Sequence, residues 1–158
     1  MFSKAVCCIW LLLGLGLAPA STQNKSSLLD DIEHSIRQAK PDWRFASKRV
    51  SKNKNHGTYR WEKGKSYVNI LIFVHNSAAE ATKTYHNFDL EAFGLKRKVL
   101  EGTVVDLGDE SYAWADSNDV TTIGIDFRKG NVFVHLTAPT IEGAKEFALL
   151  IADAVPTS

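Results

Sequence analysis

Apolar residues along this chain recur at two spacings, and the changes between them divide it into elements. From Ser27 to Ala39, Leu28, Leu29, Ile32, Ile36 and Ala39 fall on one side of a helix. Ser27 is placed to cap it, with Asp30 as the acid of a capping box, and Pro41 stops it. Strand-like alternation follows. Trp43 and Phe45 alternate with Arg44 and Ala46, and Tyr59 and Trp61 with Arg60 and Glu62, around the turn "NKNHG". "KSYVNILIFVHN" is apolar on both sides, as expected of a strand in the middle of a covered sheet. Ser77-Ala78-Ala79-Glu80 is a second capping box, opening a helix to about Asn87 or Glu91 with a narrow stripe of Ala78, Ala81, Tyr85 and Phe88. A short strand over Lys98–Val105, a turn at Leu107-Gly108-Asp109 and a strand "SYAWAD", with Tyr112 and Trp114 directed outward, come next. Ile123, Ile125 and Phe127 alternate with Gly124 and Asp126; Val132, Val134 and Leu136 alternate with Phe133, His135 and Thr137. Last, Ile141, Ala144, Phe147, Ala148, Ile151, Ala152 and Val155 mark a helix capped at Pro139-Thr140 and stopped by Pro156. Strands joined by hairpins and flanked by helices predict an α+β domain. The expected architecture is a largely antiparallel sheet of five to seven strands covered by an N-terminal, a middle and a C-terminal helix.

Arg128-Lys129-Gly130-Asn131 raises a question of chemistry, because a basic, glycine-bearing turn can grip an anion. A phosphate loop sends its glycines into a helix N-terminus, whose free N–H groups bind the anion. Here the glycine feeds a strand, so a tight hairpin is expected, with Gly130 and Asn131 taking positive backbone angles.

The first twenty residues read as a secretory signal: Lys4, the apolar run "AVCCIWLLLGLGLA", then Ala18-Pro19-Ala20 with cleavage after Ala20. Residues 21–26 form a short polar linker, and 27–155 a single domain. Removing the signal leaves 138 residues, 18 basic and 18 acidic, without cysteine. A disulfide framework is thereby excluded, and the length supports a core without staples. Charge is uneven: ten Lys or Arg against Asp42 and Glu62 between Arg37 and Lys65, then seven acids and no base between Glu101 and Asp126. Two solvated faces, packed side by side, are the plain reading of such runs.

The Gly108-Asp109-Glu110 turn with its aromatic strand, the "FRKGNV" hairpin and the closing amphipathic helix resemble uncharacterised small secreted or periplasmic bacterial proteins. The layout is also similar, more loosely, to extracytoplasmic sensor-type lipoprotein domains and to PsbP-like domains. The likeness covers the C-terminal third and lacks the lipoprotein cysteine and the sensor disulfides. It implies an exported bacterial α+β domain and transfers no catalytic residue.

No nucleophile sits beside an activating base in the sequence, and the five histidines are scattered without metal-ligand spacing. No catalytic, cofactor-binding or metal-ligating residue is therefore assigned, and no cofactor is expected. Two surfaces are candidates. Tyr67, Asn69, His75, Asp126, Phe133 and His135 converge on one sheet face beneath the middle helix if their strands are neighbours. The alternative is that each histidine satisfies its own hydrogen bond. Trp43, Arg44, Lys48, Arg49, Lys52, Lys54, Tyr59, Arg60 and Trp61 interleave cations with rings, as a polyanion surface does. Lysines protecting an exposed sheet edge are the plainer account. The expectation is an exported, periplasmic or secreted, non-enzymatic binding module, whose partner is an envelope protein, an acidic glycan or a small ligand rather than nucleic acid. An envelope-associated accessory protein acting through protein contacts is the alternative, and a hydrolase the third reading.

Overall fold

The computed structural model describes residues 25–88, 94–102, 107–119 and 121–157. The segment read as a secretory signal, most of the expected linker and the end of the expected Lys98–Val105 strand lie outside them. The elements run α1 (Lys25–Ala39), β1 (Arg44–Val50), β2 (His56–Lys63), β3 (Ser66–Val74), α2 (Ala78–Asn87), β4 (Arg97–Leu100), β5 (Glu110–Asp116), β6 (Ile123–Lys129), β7 (Val132–Ala138) and α3 (Ile141–Ala154). The seven strands form one antiparallel sheet in the order β1-β2-β3-β7-β6-β5-β4. Two sequential meanders therefore meet at a seam where β3 pairs with β7, Asn69 facing Thr137 and Leu71 facing His135.

α1 and α3 pack against each other, and α3 lies on β3, β6 and β7. The core is on this side. Leu28, Leu29, Ile32 and Ile36 of α1 and Ala144, Phe147, Ala148 and Ile151 of α3 meet Tyr59, Trp61, Val68, Ile70, Ile72, Ile125, Phe127, Val134 and Leu136. The small residues Ala144 and Ala148, both fully buried, let α3 approach closely. α2 covers the other side over β6 and β7.

Several local expectations change. α1 begins at Lys25, so Ser27 lies inside it rather than capping it, and Asp30 instead accepts from Lys48. The α2 and α3 caps form as expected: Ser77 accepts from the Glu80 N–H and Thr140 from the Gly143 N–H, each at 3.2 Å. In the β1–β2 turn the left-handed position falls to Lys54, at φ 53°. In the β6–β7 hairpin Gly130 takes φ 55°, whereas Asn131 keeps a negative φ and spends its amide on the His75 carbonyl at 2.8 Å. Among the described residues the acidic segment does not pack beside the basic one. β5 lies near one edge of the sheet and β1 forms the other, and the basic residues find acids on α1, α3 and their own hairpin.

Arg128 is held by acids of the preceding turn. Asp109 accepts from Arg128 Nη1 at 2.6 Å and from the Gly130 N–H at 2.8 Å, and Glu110 accepts from Arg128 Nε at 2.9 Å. The cation and the N–H that could have held a phosphate are both taken by the Gly-Asp-Glu turn. Gly108 is required at φ 150°, where a Cβ would stand 2.5 Å from the Arg128 carbonyl oxygen.

Candidate binding surface

Strand alternation sends Tyr112 and Trp114 of β5, Asp126 of β6 and Phe133 and His135 of β7 to the side of the sheet facing α2. Asp126 is fully buried there. Its Oδ1 accepts from His135 Nδ1 at 2.7 Å and Trp114 Nε1 at 3.3 Å, its Oδ2 from the Tyr112 hydroxyl at 2.6 Å, and the Arg97 guanidinium stands 3.7 Å away. A buried carboxylate is tolerated only when paired and hydrogen-bonded, and this one is both. Burial, then the adjacent Asp126 charge and hydrogen bond, push the Tyr112 phenol well above its usual range. The indole reaches Asp126 because Gly124 opposite Trp114 has no side chain: a Cβ there would lie 2.0 Å from Trp114 Cε2. The His135 ring stacks on Trp114 at 5.7 Å and 12°, with Phe88 on another side at 4.9 Å. With Nδ1 held by Asp126, Nε2 is the ring nitrogen left for other contacts.

Of the six residues expected to converge, Asp126, Phe133 and His135 do so beneath α2. His75 lies on the same side at the start of α2, its ring 6.1 Å from Phe73 and its Nε2 buried without a hydrogen-bond partner. Burial pushes its pKa down. Tyr67 and Asn69 are on the same side but toward the other end of β3, outside the Asp126 cluster. Asn69 donates to Thr137 Oγ1 at 3.3 Å and accepts from Arg60 at 2.9 Å, and Arg60 lies over the Tyr67 ring at 4.8 Å. Among the described residues no group of three or more His, Cys, Asp or Glu side chains is placed to hold a metal.

The polyanion surface is corrected in its rings. Tyr59 and Trp61 are 2% and 1% exposed and belong to the core, because their strand face is the one α1 and α3 cover. Burial pushes the Tyr59 phenol up to about 12. Trp43 packs edge-on against Phe147 at 4.9 Å and lines, with Tyr67, a cavity of about 420 Å³ between the end of α1, the β2–β3 turn and the start of α3. Lys48 is answered by Asp30 and Glu33, both at 2.8 Å. Arg44, Arg49 and Arg60 instead lie on the α2 side of the sheet, opposite to Tyr59 and Trp61. Lys52 and Lys54 are exposed in the β1–β2 turn.

The expectation that Tyr112 and Trp114 point outward is also corrected. Trp114 is fully buried and Tyr112 half-buried beneath α2. Their large-small alternation with Ala113 and Ala115 marked a two-sided strand, but only the pairing with β6 shows which side is covered. Phe88 was marked by the α2 stripe and Gly124 by its alternation with Asp126, whereas Arg97 carried no sequence signal for this cluster.

α2 leaves part of this sheet face uncovered. Arg44, Ser47, Arg49 and Thr58 are exposed and Arg60, Tyr67, Asn69, Leu71 and Phe73 half-buried, on β1, β2 and β3. Two of their polar members, Arg60 and Asn69, are ordered in a row that runs from Glu62 to the buried Thr137.

No protein-family model matches the sequence, and no curated protein matches it. Among solved structures the chain is similar to a GTP binding regulator from Thermotoga maritima, at 12% identity and a TM-score of 0.50, over 86% of this chain and 90% of that one. At that identity the likeness is one of fold.

Proposed function

We propose that the protein is an exported, non-enzymatic binding module that receives its partner on the half of the sheet face α2 leaves open. The observation carrying this reading is the ordered Glu62–Arg60–Asn69–Thr137 row on a solvent-facing surface beside the rigid Asp126–His135 cluster. Groups fixed before a partner arrives lose little conformational entropy on binding, which favours a recognition role. Antiparallel sheets do commonly wet one face. Here, however, α2 covers that face over β6 and β7, so the part on β1, β2 and β3 stands open beside a helix. Export rests on the apolar segment ending at Ala18-Pro19-Ala20. Among the described residues no helix is long and apolar enough to cross a membrane.

A photo-crosslinking residue at Thr58, compared with one at Leu149 on α3, tests the reading in a native envelope fraction. A discrete adduct from position 58 and none from 149 is expected. Adducts from both positions, or from neither, overturn it.

A further inference from the structure

We infer that the occupant of the open face is an acidic, extended polypeptide segment, laid along β1 as an added strand. This rests on the binding-module reading above and names its partner. β1 ends the sheet, so one row of its backbone N–H and C=O groups faces away from β2. On the open side it presents Arg44, Ser47 and Arg49, next to Glu62, Arg60 and Thr58 of β2. Glu62 is the single acid on this side of β1, β2 and β3, and it serves two guanidiniums, accepting from Arg60 at 2.7 Å and also from Arg44. The bond from Arg60, with Arg44 nearby, holds its carboxyl below the usual carboxylate range. Arg49 has no ion pair among the described residues. The opposite side of the same strand differs, since there Lys48 meets two carboxylates of α1.

Two arginines sharing one carboxylate, with Arg49 beside them, ask for an anionic partner, and the edge of β1, unpaired among the described residues, asks for a polypeptide. An added strand satisfies both, because its main chain completes the ladder while alternate side chains stand over the open face. The register break between Phe45 and Ser47 confines regular pairing to the Ser47–Val50 stretch. A Glu or Asp opposite Arg49 then lies at cross-strand distance, and the next acid along the same side lies toward Arg44.

The test uses the folded chain and a labelled peptide alternating Glu with Val, its Gln-for-Glu counterpart, and a heparin oligosaccharide. Fluorescence anisotropy reads binding, and amide hydrogen exchange reads β1. The acidic peptide should bind and slow exchange at Ser47–Val50. The Gln peptide, and the Arg49→Glu variant, should each bind roughly tenfold more weakly, the equivalent of about two exposed ion pairs. Arg49→Gln, which is neutral, should fall between wild type and Arg49→Glu. Equal binding of both peptides, or heparin binding without protection of β1, overturns the inference. If neither peptide binds while the Thr58 adduct still forms, this inference falls and the binding surface stands. If the adduct is also absent, both fall.

Discussion

Beneath α1 and α3 the sheet presents Tyr59, Trp61, Val68, Ile70, Ile72, Ile125, Val134 and Leu136; beneath α2 it presents Tyr112, Trp114, Asp126, Phe133 and His135. The same seven strands thus carry an apolar layer on one side and an aromatic layer around a buried carboxylate on the other. α3 buries five residues and α2 only Ala81 and Tyr85. The first side gains stability from area removed from water, about 25 cal/mol per Å² of apolar surface. The second gains it from hydrogen bonds that must all be made, because a half-satisfied buried network costs more than it returns. One side tolerates repacking and fixes the fold; the other tolerates little change and fixes where particular groups stand.

The largest test of this contrast is Ile32→Asp, which places an unpaired charge in the apolar layer. It should abolish the cooperative thermal transition followed by circular dichroism, the penalty being many kcal/mol before the group protonates or the chain unfolds. On the other side, Asp126→Ala should cost about 3–5 kcal/mol in denaturant unfolding, since Arg97 and His135 lose the acid they surround. A milder loss than about 1 kcal/mol would mean that the aromatic layer, not the carboxylate, holds this side together. Gly124→Ala should cost about 1–3 kcal/mol by overpacking, and the displaced indole should alter the near-ultraviolet circular dichroism.

A smaller effect belongs to pH. Burial lowers the His75 pKa, so the folded state binds that proton less readily than the unfolded chain. His75 therefore favours folding fully above the unfolded value of about 6.5, and stability falls as pH drops below it toward the folded value. His75→Phe, which keeps a ring beside Phe73, should shrink the difference in melting temperature between about pH 7.5 and 5.5. Smallest is Leu149→Gln at a half-exposed α3 position, which should change stability by no more than about 0.5 kcal/mol.

Much of the fold was legible because burial follows periodicity. Val68, Ile70, Ile72 and Val74 share the core face as their alternation requires, and α3 buries the residues its spacing marks. The site was less legible, because alternation sorts residues into two faces without saying which face a helix covers. Tyr59 and Trp61 resemble a surface pair until β2 is placed beneath α1. Tyr112 and Trp114 resemble another until β5 is placed beneath α2. Asp126 and His135 were brought together by the hairpin that joins their strands, whereas Tyr67 and Asn69 share their side of the sheet but sit on a different strand. The Trp114–Gly124 fit arises only from cross-strand register, which single-strand patterns do not contain.

The seam between β3 and β7 has a consequence for synthesis. Every other pairing among the described strands joins strands that follow one another along the chain, but β3 waits for β7 to be made before its second edge is matched. While the ribosome still holds the C-terminal half, the most apolar strand of the described chain stands with one edge open. A polypeptide built this way is most exposed to sticking to its neighbours just before β7 joins the sheet. Truncation short of Val132 would make that vulnerable interval permanent.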